Sequence, residues 1–290
     1  MTLNIFKLTK KYKDFTALNN FSFEFQNGVY AILGPNGAGK TTLINMMVLL
    51  SDSTEGEIFF NGENIKSDEK SYLKSLGYMP QDIQFYDNYT PREILKYIAA
   101  LKGIKIKNRP ILDLLIKVNL QDVEKKKIKT FSCGMKQRLG IAQTFINDPP
   151  IMIFDEPTAG LDPKERIRFK NLISNYNNRI IIIATHIISD IENIAKKILI
   201  LKNGKIVAVG SQKELMDNIS EFVWSAQVSD DELVFLSNKY LISKVMRFDD
   251  FINVKIISEQ QPDCNCSLTI PDMEDVYLYY TEYVKYDSDF

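Results

Sequence analysis

Apolar residues either alternate with polar ones or run together in several short segments of the chain. Residues 21–25 and 29–33 flank Asn27-Gly28, and this pattern predicts two strands joined by a tight turn. Uninterrupted apolar runs at residues 151–154 and 180–183 are typical of strands that are buried on both faces of a parallel sheet. Such a sheet needs helices on both faces, so the predicted fold class is α/β.

Residues 83–147 are predicted to form a helical subdomain between these runs. Thr90 and Glu93 have the spacing of a capping box, with Pro91 at the first helical position, so we expect a helix to begin there. The apolar residues that follow have helical spacing and predict one stripe that faces a core: Ile94, Leu95, Ile98 and Leu101.

The pattern changes near residue 217. Three short strands and two interleaved helices are indicated beyond it: strands at residues 221–227, 241–248 and 252–258, and helices that begin near Ser229 and Pro271. We therefore predict a main domain over residues 1–217 and a small α+β domain over residues 218–290.

Composition places the chain among soluble globular proteins. Of 290 residues, 45% are apolar and 25% are charged, and the formal net charge is -1. Nucleic-acid-binding proteins usually carry a basic excess, so no nucleic-acid partner is expected. Three cysteines, Cys133, Cys264 and Cys266, are too few for a disulfide framework and fit a reducing compartment.

The hydrophobic runs are short. The first residues lack the apolar core of a signal peptide, so we do not expect export of this chain. The longest run, residues 180–184, is far shorter than the ~18 to 20 residues that span a bilayer. We expect a cytoplasmic protein that needs a separate partner for any work at a membrane.

A glycine-rich segment follows the predicted strand at residues 29–33. It has the phosphate-binding pattern Gly, four residues, Gly-Lys-Thr and comprises Gly34, Pro35, Asn36, Gly37, Ala38, Gly39, Lys40 and Thr41, with Thr42 next. Its backbone N–H groups can surround an anion, and a helix starting near Lys40 points its positive end there. We expect Lys40 to neutralise β- and γ-phosphate oxygens and Thr41 to offer its hydroxyl to Mg²⁺. A glycine-rich turn without function is the alternative.

Two carboxylates, Asp155 and Glu156, follow the apolar run at residues 151–154. Burying a charge is costly unless it meets a cation, so we interpret Asp155 as a metal partner that acts through water. Glu156 would then lie beside the γ-phosphate, and it is the candidate general base that activates the attacking water. Two solvated carboxylates at a strand end are the alternative.

His186 is the single histidine of the chain. It follows the run at residues 180–183, which is the next predicted parallel strand after the acidic one. In a sheet of this type the carboxyl ends of such strands border one crevice, so we expect His186 to contact the γ-phosphate or the attacking water. A histidine satisfied within the core is the alternative.

Further segments narrow the class of nucleotide-binding protein. The sequence Phe-Ser-Cys-Gly-Met-Lys-Gln-Arg at residues 131–138 resembles the ABC signature, and Gly-Tyr-Met-Pro-Gln at residues 77–81 resembles the Q-loop. Residues 159–162, Ala-Gly-Leu-Asp, resemble the D-loop, and Tyr12 resembles the aromatic residue that stacks on adenine. These motifs occur in the family's order over residues 1 to about 215. The chain therefore resembles the ATP-binding subunits of ABC transporters, which are P-loop NTPases.

This resemblance implies a mechanism. Two such domains dimerise head to tail around ATP and Mg²⁺, so Ser132 and the Gly134 amide of one subunit would reach the γ-phosphate held by the other. Gln81 would sense the metal and the water, and Asp162 would couple the two sites. The partners implied are an integral-membrane permease and a second ATPase subunit, identical or homologous. Attachment to the inner face of the cell membrane through the permease follows.

One residue departs from the family's pattern, since Cys133 replaces the first glycine of the signature. If that position needs a positive φ or a close approach, a non-glycine residue there is strained by ~1 kcal/mol or more. Tolerated drift, a weakened site in the dimer and a thiol-sensitive site are the three interpretations that stay open.

The resemblance favours an exporter of peptides, antibiotics or lipids, because of the Met-Lys-Gln-Arg ending of the signature and the small C-terminal domain. An importer subunit is the nearest alternative. ABC proteins that act on ribosomes or DNA carry paired ATPase units or a long coiled-coil insertion, and this sequence has neither. The transported molecule contacts the permease, so this sequence does not identify it.

Overall fold

The structure is a computed structural model that describes residues 1–284. The chain divides into two compact units. The first comprises Met1–Lys197 and Leu201–Ile206, and the second comprises Ile198–Ile200 and the chain from Val207 onwards. Residues 198–200 and 207–217, predicted to belong to the main domain, are thus grouped with the second unit.

The first unit contains eight strands and six α-helices within the described residues. Its strands are β1 (Thr2–Tyr12), β2 (Phe15–Gln26), β3 (Gly28–Leu33), β4 (Glu55–Phe60), β5 (Glu63–Asn64), β6 (Leu76–Met79), β7 (Ile151–Asp155) and β8 (Ile180–Thr185). Its helices are α1 (Lys40–Met47), α2 (Glu69–Lys74), α3 (Pro91–Leu101), α4 (Asn108–Lys117), α5 (Cys133–Thr144) and α6 (Pro163–Ser174). Two further strands, β9 (Lys197–Lys202) and β10 (Lys205–Gly210), are divided between the units.

Two sheets organise the first unit. An antiparallel sheet has the order β2-β1-β4-β5, and the strands β3, β8, β7 and β6 lie side by side in parallel. In the parallel register Ala31 is opposite Ile183 and Phe154 is opposite Ile183. Every residue of β3, β7 and β8 is buried. The α/β fold predicted from the uninterrupted apolar runs is confirmed.

The parallel strands bring four predicted segments to one edge of the sheet. The phosphate loop follows β3, Glu156 follows β7, and His186 follows β8. Gln81 comes two residues after β6, which pairs with β7. Loops that leave the carboxyl ends of neighbouring parallel strands share one crevice, so residues far apart in sequence meet there.

The predicted helical stretch contains α3, α4 and α5. The capping box is present, since Thr90 Oγ1 accepts from Glu93 N at 3.2 Å and Glu93 Oε2 accepts from Thr90 N at 2.7 Å. The predicted apolar stripe is only partly right. Ile94 and Leu95 are buried, whereas Leu101 is 69% exposed, because it ends the helix beside an open cleft.

The second unit has its own sheet and core. Its elements are α7 (Gln212–Asp217), β11 (Val223–Val228), α8 (Asp230–Lys239), β12 (Leu241–Arg247), β13 (Ile252–Ile257), β14 (Cys266–Leu268) and α9 (Met273–Leu278), with a π-helical turn at Tyr279–Tyr283. The sheet order is β12-β13-β11-β14, and all its pairs are antiparallel. One face packs against Leu236 of α8, around Val254 and Ile256.

The three predicted strands of this region are confirmed to within two residues, but two details differ. The edge strand β14 escaped prediction because it has only three residues and is fixed by pairing with β11. The last helix begins at Met273 and not at Pro271, because the side chain of Asp272 caps it by accepting from Glu274 N at 3.0 Å and Asp275 N at 3.1 Å.

Removing the cap of α8 is expected to destabilise the second unit. Ser229 Oγ accepts from Glu232 N, so Ser229→Ala should lower the free energy of unfolding by about 1 kcal/mol. Trp224, the single tryptophan, packs against this unit's core, so its fluorescence during urea unfolding reports the change. Ser237→Ala on the same helix is the control, since that exposed hydroxyl donates to the helix carbonyl oxygens of Leu233 and Val234 and caps no helix end. Equal midpoints for the two variants would contradict the prediction.

Candidate nucleotide-binding site

The loop between β3 and α1 has the backbone conformation of a phosphate cradle. Gly37 and Gly39 have φ of +82° and +101°, a region that favours glycine. A Cβ at Gly39 would lie 2.5 Å from the carbonyl oxygen of Ala17, so no other residue fits there without a backbone shift. A Cβ at Gly37 would meet no protein atom within 4 Å, so this side of the loop is open to a ligand.

Lys40 folds back over this loop. Its Nζ donates to the carbonyl oxygens of Gly34 at 2.7 Å and Pro35 at 3.1 Å, and the side chain is buried. Burial lowers the pKa of Lys40, while the charges of Glu156 and Asp155 oppose that shift. A buried ammonium with only carbonyl partners favours an anion nearby, and phosphate oxygens offer stronger, charge-assisted hydrogen bonds.

Asp155 lies at the end of β7 with 1% of its surface exposed. Thr41 Oγ1 donates to its Oδ2 at 3.0 Å, while its buried Oδ1 has no hydrogen-bond partner within residues 1–284. Burial raises the pKa of Asp155 to about 6, and the hydrogen bond from Thr41 opposes this shift. A carboxylate of this kind is stabilised by a nearby cation.

The donor set around Asp155 fits Mg²⁺ bound together with a triphosphate. A hydroxyl and a carboxylate are hard oxygen donors, and Mg²⁺ usually takes one or two carboxylates, waters and substrate phosphates. Within residues 1–284 no group of three or more His, Cys, Asp or Glu is arranged to hold a metal. Thr41 and Asp155 would therefore supply part of the coordination, and the phosphates would supply the rest.

The Glu156 carboxylate is held by two neighbours from the end of β8. Thr185 Oγ1 donates to Oε2 at 3.2 Å, and His186 Nδ1 lies 2.8 Å from Oε1. Glu156 has a φ of +50°, an uncommon value for glutamate, and Gln137 Nε2 donates to its carbonyl oxygen at 2.9 Å. These contacts fix the carboxylate at the crevice, where a general base would be needed.

His186 lies at the predicted edge of the sheet and is not a core histidine. Its side chain is 52% exposed, and its Nδ1 contacts Glu156. The expected contact with a γ-phosphate or a water stays a prediction. The exposed position of the ring is compatible with that contact.

The signature residues lie beside the loop at residues 159–162. Ser132 caps α5, its Oγ accepting from Met135 N at 3.3 Å. A Cβ at Gly134 would lie 3.3 Å from the carbonyl oxygen of Gly160. Within residues 1–284 no hydrogen bond joins Ser132 to the phosphate loop of the same chain. The predicted contact of Ser132 and Gly134 with a nucleotide held by a second subunit stays a prediction.

Cys133 begins α5 with a right-handed helical backbone and an exposed side chain. The strain that a positive φ would have caused is therefore absent at this position. Asp162 is exposed and caps α6, its Oδ1 accepting from Glu165 N at 3.0 Å.

Tyr12 and Gln81 are exposed and lie outside the hydrogen-bonded cluster around Asp155 and Glu156. Tyr12 ends β1, and Lys10 Nζ lies 5.0 Å from its ring centroid. An exposed ring is available for stacking, and an exposed amide after β6 is available to a ligand in the crevice. Their predicted contacts with adenine and with the metal and water remain predictions.

Two residues of the site escaped sequence reasoning. Gln137 holds the backbone of Glu156, and Thr185 holds its carboxylate. Thr185 directly precedes His186 at the end of a buried strand, so its position was a usable signal. Gln137 lies within the signature, but its contact with Glu156 depends on how α5 packs against β7, which spacing does not reveal.

Comparison with known proteins identifies the family. A family model described as ABC transporter matches residues 18–159. The uncharacterized ABC transporter ATP-binding protein YcbN of Bacillus subtilis (strain 168) is 34% identical over 258 residues, which are 87% of this chain and 81% of that protein. The lantibiotic transport ATP-binding protein SrtF of Streptococcus pyogenes is 37% identical over 208 residues, which are 71% of this chain and 89% of that protein.

A solved structure has the same fold as most of the chain. It is a dimeric post-hydrolysis state of an ATP-binding cassette bound to ADP and Pi, 25% identical with a TM-score of 0.67, and the match covers 72% of this chain and 97% of that chain. Together with the phosphate cradle and the Asp155 and Glu156 pair, these similarities show that the chain belongs to the ABC transporter family, as an ATP-binding subunit and an ATPase.

Proposed function

We propose that this ATPase powers the export of a peptide antibiotic, a lipid or a similar substrate through a separate membrane permease, by closing head to tail on a second ATPase subunit around ATP and Mg²⁺. The observation that carries the hydrolytic part is the Glu156 carboxylate, fixed by Thr185 and His186 beside the phosphate loop. The similarity to a lantibiotic transport protein over 89% of its length supports the transport part.

The phosphate loop and its neighbours bind the nucleotide in this proposal. Backbone N–H groups of residues 34–39 and the amino end of α1, including Thr42, surround the phosphates. Lys40 exchanges its carbonyl partners for β- and γ-phosphate oxygens. Mg²⁺, when bound, neutralises negative charge on those oxygens, and Thr41 and Asp155 hold it. Tyr12 stacks on adenine.

Glu156 accepts a proton from the attacking water and orients that water towards the γ-phosphate. The contact between His186 Nδ1 and Glu156 Oε1, 2.8 Å long, sets the direction of the carboxylate. Thr185 holds the other oxygen, so the base is not free to rotate. Gln81, at the end of the neighbouring strand, completes the polar wall around the metal and the water.

The signature of this chain serves the nucleotide of a second subunit. Ser132 is exposed and begins a helix of 12 residues, whose positive end favours an anion. Gly134 lies beside Gly160 and Leu161 of its own chain. In this proposal a second copy or a homologue supplies the phosphate loop that Ser132 and Gly134 face. A related cassette is dimeric with ADP and Pi. Asp162 would then couple the two sites.

The proposal also covers the location of the protein and its domain boundaries. No helix within residues 1–284 combines the length and the apolar character needed to span a bilayer. We propose a cytoplasmic subunit attached through its permease to the inner face of the cell membrane, with an ATPase domain over residues 1–217 and an appended domain over residues 218–290. An importer subunit is the alternative, and the identity of the co-purifying permease separates the two.

A cleft of ≈ 880 Å³ beside α3 is the proposed docking site for the permease. Three leucines on its wall are exposed, Leu50, Leu73 and Leu101, and apolar surface of this kind favours a partner. Lys70 and Lys74 lie on the same wall. An amphipathic permease helix with an apolar stripe and acidic flanks matches this lining.

Replacing Lys40 is expected to weaken nucleotide binding. Lys40→Ala removes a charge-assisted contact worth about 1.5–3 kcal/mol, so the dissociation constant for Mg-ATP should rise about 10-fold or more. Isothermal titration calorimetry measures this directly. Lys66→Ala is the control, because that exposed lysine pairs with Asp52 on the surface. Unchanged affinity of Lys40→Ala for Mg-ATP would contradict the proposed role of the phosphate loop in nucleotide binding.

Replacing Glu156 is expected to separate binding from hydrolysis. Glu156→Gln keeps the size of the side chain but cannot accept the proton, so turnover should fall by roughly 100-fold or more while ATP stays bound. Light scattering after gel filtration with Mg-ATP should then show a dimer. Glu63→Gln, on the exposed strand β5, should hydrolyse ATP normally and stay monomeric. Undiminished hydrolysis by Glu156→Gln would exclude Glu156 as the base.

A charge in the cleft is expected to prevent docking of the permease. Leu101→Glu should abolish co-purification with the permease and leave ATP binding unchanged, since the residue is exposed and its replacement has little effect on folding. Ile116→Glu, also exposed near the end of a helix, is the control and should keep the complex. Normal co-purification of Leu101→Glu would exclude the cleft as the docking site.

A further inference from the structure

A buried carboxylate that the hydrolytic scheme does not use lies shortly after His186. Asp190 ends the 3₁₀ turn Ile188–Asp190 and is only 1% exposed. Burying a carboxylate is costly unless hydrogen bonds and a cation compensate for it. The neighbours of Asp190 therefore indicate what this turn is held against.

Three residues of the segment after Glu156 hold this turn. Thr158 Oγ1 donates a short hydrogen bond to Asp190, and Arg166 Nη1 lies 3.9 Å from the other carboxylate oxygen. Lys170, one turn further along α6, donates to the carbonyl oxygen of Ser189 at 2.7 Å. Burial raises the pKa of Asp190, and Thr158 and Arg166 oppose the shift.

Arg166 also reaches the loop at residues 159–162. Its Nε donates to the carbonyl oxygen of Leu161 at 3.2 Å, while Asp162 caps the same helix. One guanidinium thus joins the turn after His186 to the loop whose Gly160 packs beside Gly134 of the signature. The planar guanidinium suits this double role because its donors are fixed relative to one another.

The other end of the turn leads to the candidate base. Ile187 N donates to Thr185 Oγ1 at 3.0 Å, and that hydroxyl in turn donates to Glu156. His186 lies between these two points and contacts Glu156. The contacts are therefore continuous from the base, through His186 and Asp190, to the loop and the signature.

We propose that Asp190 is a positioning residue that, with Thr158 and Arg166, ties the His186 segment to residues 159–162. As a result, Glu156 and His186 of one nucleotide site move together with the signature surface that serves the other site. This inference rests on the proposed head-to-tail dimer. Asp190 acts through His186 and the loop, and it does not touch the nucleotide.

A purely structural role makes a different prediction. If Asp190 only stabilised the fold, its replacement would lower thermal stability and leave the kinetics of the folded fraction unchanged. If it couples the two sites, kcat and the cooperativity of ATP hydrolysis fall while KM changes little, because nucleotide binding by Lys40 and Thr41 is untouched.

The test uses the full chain with Asp190→Asn, Arg166→Gln and the double variant. Asp190→Asn keeps an acceptor for Thr158 but removes the charge that faces Arg166. Each single variant should lower kcat about 10-fold and lower the Hill coefficient towards 1, with KM within about threefold of the starting value. The double variant should be no slower than either single one, since both break the same link.

Matched variants keep the test interpretable. Arg168→Gln, on the same helix and paired with Glu165, should retain the starting kinetics. Arg166→Lys keeps the positive charge, so its kcat should lie between that of Arg166→Gln and that of the unchanged protein. If Asp190→Asn is poorly folded in thermal melts, Arg166→Gln still tests the link, because Arg166 is partly exposed. Unchanged kcat and Hill coefficient in Arg166→Gln, or additive losses in the double variant, would overturn the inference.

A second measurement separates this inference from the proposed function. In the Glu156→Gln background, adding Asp190→Asn should raise several-fold the ATP concentration that gives half-maximal dimer. If Glu156→Gln alone forms no dimer with Mg-ATP, the proposed function fails. If it forms a dimer and Asp190→Asn leaves the ATP concentration unchanged, the proposed function stands and the coupling role of Asp190 is wrong.

Discussion

A carboxylate buried at the end of an apolar strand sets the electrostatics of the nucleotide site. Asp155 has one oxygen paired with Thr41 and one that has no hydrogen-bond partner in the described part of the chain, and burial raises the pKa of this carboxyl to about 6. Lys40, also buried, carries the opposite charge in the same crevice. Neither charge is fully compensated by the protein, so a cation and a polyanion that arrive together satisfy both.

The parallel sheet is the constraint that makes this arrangement possible. Its buried strands need no polar residues along their length, so functional groups collect where the strands end. Glu156 and His186 are 30 positions apart in sequence and come within hydrogen-bond distance because β7 and β8 are neighbours in register. In the proposed dimer, the signature helix of one subunit completes the nucleotide site of the other.

In the proposed dimer, the helix α6 connects the signature side of a subunit to the segment that carries His186. It begins at Pro163, shortly after Gly160 and Leu161 that lie beside Gly134, and its basic residues Arg166 and Lys170 reach the turn that follows His186. A packed helix moves as a body, so a displacement at one end is transmitted to the other. The second unit has a separate core, built on its own antiparallel sheet, and its elements carry none of the residues assigned to hydrolysis.

The sequence alone determined the fold class, the order of the motifs and most of the residues in the crevice. Glycine spacing, buried apolar runs and capping boxes act over a few residues, so they can be recognised without a structure. Only the tertiary structure decided which residues hold the base, such as Gln137 and Thr185, and that Leu101 borders a cleft instead of a core. The tertiary structure also showed that Asp190 lies beside Arg166. Those contacts depend on how helices pack against the sheet, and local spacing along the chain carries no information about that packing.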